Sequence, residues 1–204
     1  MNDEIVTNAI DGVLASMKQI FHEQLQSEDE AHPQFALLCS VDPRNGSPLS
    51  ESHLGVVIVV PAKFADEADK EGTAMAVRAL AVAGEAVACV VCFDTFMASG
   101  KAADDHQRTG IMPSDHPDSD EAMFVAIERR GHPTELECHV YHRLDDGIAF
   151  DDSSRRKVPS EAWGGRFAKI LPPTPVPRAV VSSMQQLVKA GAFGELAWSE
   201  VANG

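Results

Sequence analysis

From residue 3 to residue 26 the apolar positions Val6, Ile10, Val13, Leu14, Met17, Ile20, Phe21 and Leu25 recur at steps of three and four. That is the stripe of an amphipathic helix of about six turns, long enough to cover a sheet or to pair with a second copy of itself. The period then changes. Residues 35–41 form a short apolar run closed by Asp42-Pro43-Arg44-Asn45-Gly46, and residues 53–60 are β-branched on both faces. Both read as strands, the second as the centre of a sheet covered on its two sides.

Pro61 ends that strand, and residues 64–83 are Ala-rich, with Phe64, Ala68, Met75, Ala79 and Leu80 at helical spacing and Gly84 as the cap. Another apolar strand follows at residues 86–93. Strand, helix, strand predicts a right-handed crossover that sets the two strands parallel. Residues 94–120 read as a long polar loop with a short helix around 102–108.

Alternation returns in residues 121–129 and 134–143. A four-residue turn over 130–133 predicts a hairpin that pairs Ile127 with Leu136, Val125 with Cys138 and Met123 with Val140. It sets Phe124 beside His139 and Ala122 beside Tyr141 on the opposite face. Asp145-Asp146-Gly147 turns the chain into a last short strand at 148–151. Beyond it the pattern predicts a helix over 160–171 carrying Trp163 and Phe167, then an extended Pro-rich connector at 172–177. A helix near 178–190 follows, with Val180, Val181, Met184, Leu187 and Val188 inward, and a tail bears Phe193 and Trp198.

These elements predict one α/β domain, or α+β, over 1–204: an N-terminal helix and linker at 1–33, a sheet core at 34–151 and a C-terminal helical segment at 152–204. The sheet is expected to be mixed, of about six strands, with helices packed on it. Composition agrees, since 44% hydrophobic and 24% charged residues in 204 suffice for a core. Seventeen Lys and Arg against thirty-one Asp and Glu give a net charge of −14, which argues against binding a nucleic-acid backbone and leaves nucleic-acid mimicry as an alternative. The acidic start Asn2-Asp3-Glu4 does not suit a signal peptide, and no apolar run reaches the ~20 residues of a membrane span. The expected place is the cytoplasm.

Candidate chemistry is sparse. Cys89 and Cys92 form a C-x-x-C, but three residues apart on a strand they point to opposite faces. No nucleophile elbow, phosphate loop or deaminase signature is present. The densest polar cluster is residues 113–121, where one histidine stands among several carboxylates directly before a strand. Asp94, His116, Asp118 and Glu121 form a candidate set for a divalent cation, with Glu137, His139 and Tyr141 as supporting residues; no other cofactor is expected.

Pro113, Ser114, His116, Pro117, Asp118, Glu121 and Ala122 resemble a P-S-x-H-P-D-x-x-E-A motif found just before a strand in uncharacterised phage and bacterial proteins. Arginine commonly follows the Asp there, and Ser119 departs from it. The resemblance implies a phage or prophage origin and carries no assigned activity. Besides nucleic-acid mimicry, two uses compete: a non-catalytic protein that binds a protein partner or forms a homodimer through its long helix and apolar tail, and a metal-dependent hydrolase or small-ligand binder built on residues 113–121.

Overall fold

The first helix, α1, runs over Asp3–Ser27 and buries Val6, Ile10, Val13, Leu14, Met17, Phe21 and Leu25, the stripe expected from the sequence. In the computed structural model it lies on one face of a single sheet. The structure describes residues 3–28, 31–50, 52–144, 147–151, 153–159, 164–172, 176–193 and 197–202. The strands are β1 (Gln34–Cys39), β2 (His53–Val59), β3 (Ala86–Met97), β4 (Asp120–Arg129), β5 (Thr134–Leu144), β6 (Gly147–Phe150), β7 (Ser154–Val158) and β8 (Ala197–Ala202). Further helices are α2 (Glu67–Ala83), α3 (Gly100–Thr109) and α4 (Arg178–Lys189).

The sheet order is β6-β5-β4-β3-β1-β2-β8, and β7 also pairs with β5. Every described ladder is antiparallel, so the expected mixed sheet of about six strands is an eight-stranded antiparallel one. The β2-α2-β3 crossover does set β2 and β3 in one direction, but it passes over β1, which pairs with both in the opposite sense. β1 and β3 therefore hold the middle, and β2 lies one strand from the edge. Adjacency in sequence had suggested adjacency in the sheet; β1, buried at all six positions, competes better for the centre.

Side-chain alternation divides the core into two layers. Ala36, Leu38, Val56, Val90, Cys92 and Val125 face α1. Phe35, Leu37, Val57, Cys89, Val91 and Ala126 face the other way, under α2, α4 and the segment around Ile170. α2 presents Ala74, Val77, Leu80 and Ala81 inward and leaves Met75 exposed, so its buried stripe is rotated from the expected one. On α4 only Val181 and Val188 are buried, while Val180 and Leu187 face outward.

No helix forms over residues 164–171. There the side chains of neighbouring elements take the backbone groups a helix would pair. The Glu128 carboxylate accepts from the Lys169 and Leu171 amides at 2.6 and 3.1 Å, and Arg78 donates to the carbonyls of Arg166 and Ala168 at 2.6 and 3.1 Å. Residues 160–163, the Asp145-Asp146 turn and residues 173–175 of the expected connector lie outside the described residues.

The expected apolar tail is strand β8, which completes the sheet beside β2. Trp198 lies over Gly55, where a Cβ would overlap the indole ring, and the Arg44 guanidinium stacks on the same ring at 5.3 Å. The features that point to self-association, the α1 stripe and the tail residues Phe193 and Trp198, are thus packed within the chain. No helix among the described residues is long and apolar enough to cross a membrane.

Candidate functional site

The hairpin β4–β5 decides where the polar candidates lie. Its observed pairs are Ala122 with Val140, Met123 with His139, Phe124 with Cys138 and Val125 with Glu137. This register is one residue from the expected one. The turn is tighter: the His132 amide bonds the Arg129 carbonyl at 3.2 Å, with Gly131 at φ 76°. A slip of one residue changes which side chains share a face. Glu137, His139 and Tyr141 join Met123 and Val125 beneath α1, where they are only 3%, 5% and 2% exposed.

Two polar groups result there. In the first, His139 Nε2 lies 2.9 Å from Glu137 Oε2, Arg155 Nε donates to Glu137 Oε1, and Lys18 reaches down from α1 to 3.9 Å. Burial, then the neighbouring Lys18, holds the His139 imidazole below its ordinary pKa. In the second, the Tyr141 hydroxyl donates to Asp94 Oδ1 at 2.9 Å and lies 3.4 Å from Glu121 Oε1. Arg143 bonds the same Glu121 carboxylate at 3.1 Å through two nitrogens, and the Ala31 amide donates to Asp94 at 3.3 Å.

Desolvation raises the Asp94 carboxyl above the usual aspartate range, although the Tyr141 hydroxyl bond pulls it down. Tyr141 itself is driven well above an ordinary phenol by burial and the facing Asp94. This second group stands at the end of β3 and joins a cleft of about 770 Å³. Glu28, Asp94 and Glu121 line its α1 side. Lys70 of α2, Arg166, Phe64 and Phe167 line the α2 side, and Lys63 is also in the lining.

The four expected metal ligands separate. Asp94 and Glu121 meet at Tyr141, whereas His116 Nε2 pairs with Asp105 Oδ2 of α3 at 3.2 Å and its Nδ1 accepts from the Asp118 amide. The Asp118 carboxylate instead pairs with Lys101 at 3.4 Å. Residues 113–115 form one 3-10 turn leading into this arrangement. Among the described residues no group of three or more His, Cys, Asp or Glu side chains is arranged to hold a metal ion. The cysteines are all free thiols, with Cys89 and Cys92 on opposite faces as their spacing requires, and burial pushes Cys39 up to about 12.

No family model, curated protein or solved structure matches the chain.

Several of the site's residues had no signal in the sequence. Lys63 and Lys70 come from a loop and the helix that follows it, Arg166 from an irregular segment far along the chain, and only the fold gathers them. Lys18 and Arg155, the cations around Glu137, sit on α1 and β7 and belong to no motif. A shorter hairpin turn would have been the one useful cue, since it brings Glu137, His139 and Tyr141 under α1.

Proposed function

We propose that this chain is a binding protein whose ligand or partner sits in the cleft at the end of β3. The observation that carries the reading is the cleft itself: a concave site, at strand ends, that combines aromatic walls with polar groups of both signs. Sites of this size and make-up are where folded domains commonly hold ligands. Asp94 and Glu121, fixed through Tyr141 and Arg143, supply an oriented polar anchor on one wall. The reading keeps the interaction role expected from the sequence and moves its surface from the long helix to the sheet's end.

Anilinonaphthalene sulfonate, an aromatic anion, serves as the probe. The wild type is expected to bind it saturably, and Thr95→Trp, which fills the cleft floor, to weaken binding by about tenfold with an unchanged thermal midpoint. Failure of the wild type to bind the dye, or equal binding by Thr95→Trp, overturns the reading.

A further inference from the structure

Taking the cleft as the binding site, we propose that its ligand is an extended peptide segment of alternating charge, added as a strand along the open edge of β3. β3 continues to Met97, but its pairing with β1 stops where Gln34 meets Cys92. From Phe93 to Met97 the strand pairs with β4 on one side. Among the described residues no backbone hydrogen bond is made on the other.

The local sequence explains the early stop. Pro33 has no amide hydrogen to continue the ladder, and Ala31 packs in the layer beneath α1 with its amide spent on the Asp94 side chain. The result is a notch five residues long, about 17 Å, whose floor is a row of strand amides and carbonyls. Such an edge is a template for one more strand.

A strand laid there sends successive side chains to opposite faces of the sheet. Toward α1 they meet Glu28, Asp94 and Glu121; toward α2 they meet Lys70 and Arg166. Glu67 already pairs with Lys70 and Arg166 at 2.7 and 2.5 Å, so that wall offers cations held in place. A matching segment carries Lys or Arg at one parity and Asp or Glu at the other. Charge complementarity of this kind fixes register as well as partner.

The test uses the full chain and blocked, fluorescently labelled pentapeptides. Lys-Glu-Lys-Glu-Lys is expected to bind about tenfold tighter than Lys-Lys-Lys-Glu-Glu, which has the same composition. A docked strand bonds β3 through alternate amides only. N-methylation of one alternate set should therefore abolish binding, while methylation of the other set leaves it intact. Equal affinity for the two sequences, equal effects of the two methylation patterns, or no binding overturns the proposal. If the dye still binds in a Thr95-dependent way when the peptides fail, the cleft remains a binding site and only the peptide assignment falls.

Discussion

The two faces of the sheet are closed by comparable hydrocarbon but differ in what is buried within it. Beneath α2 and α4 the buried carboxylate, Glu128, is spent on the backbone amides of Lys169 and Leu171, and the neighbouring thiols are held protonated by burial. Beneath α1 ionisable side chains meet one another: Glu137 with His139, Arg155 and Lys18, and Asp94 with Tyr141. Even the contact between α1 and β1 has a polar pin. The Gln34 amide, oriented to suit its surroundings, spans the Met17 carbonyl and the Phe21 amide at 3.2 Å each. One face is held by packing, the other by packing plus paired charges, and only the second should respond strongly to pH.

The largest effects test that division directly. Leu37→Ala, on the hydrocarbon face, should cost about 2–5 kcal/mol in urea unfolding with little dependence on pH. Glu137→Gln, on the charged face, should cost about 2–3 kcal/mol, because it leaves Arg155 and His139 facing a neutral amide. Similar pH profiles for the two variants would erase the distinction.

Gly55→Ala comes next. The added methyl must displace the Trp198 ring, costing about 1–3 kcal/mol, and faster amide exchange is expected in β8 and the facing part of β2. Exchange unchanged at β8 would show that the indole can shift without loosening the edge.

The smallest effect is a slope. The unfolded chain protonates His139 near pH 6.5, whereas in the fold burial and Lys18 keep it neutral to lower pH, with Glu137 opposing and Arg155 adding to that depression. Below pH 6.5 the unfolded state therefore binds more protons. Stability present above that pH is lost as the pH falls, until the folded imidazole also protonates. His139→Gln should flatten this part of the profile, measured as thermal midpoint against pH.

How much of this the sequence disclosed follows from the range of each interaction. Local patterning locates α1, β1, β2, β4 and β5 to within a residue or two, since a helical stripe, a short apolar run and a strict alternation are all short-range patterns. Strand order was hidden, because the insertion of β1 between β2 and β3 depends on which strand is most completely apolar. The segment at 164–171 looked helical by composition but takes its shape from Glu128 and Arg78, both distant in sequence. For the candidate site, Asp94, Glu121 and Tyr141 stand in the sequence only as separate polar residues. Their meeting depended on a one-residue difference in a hairpin turn, which apolar patterning alone could not resolve.

Tyr141 is the chain's single tyrosine. Its ring packs edge-on against Phe21 at 5.9 Å while its hydroxyl bonds Asp94, so α1 and the floor of the notch converge on one phenol. Ultraviolet absorbance of phenolate formation thus supplies an intrinsic optical gauge, without label or mutation, that stays silent in alkali for as long as helix and strand end remain locked together.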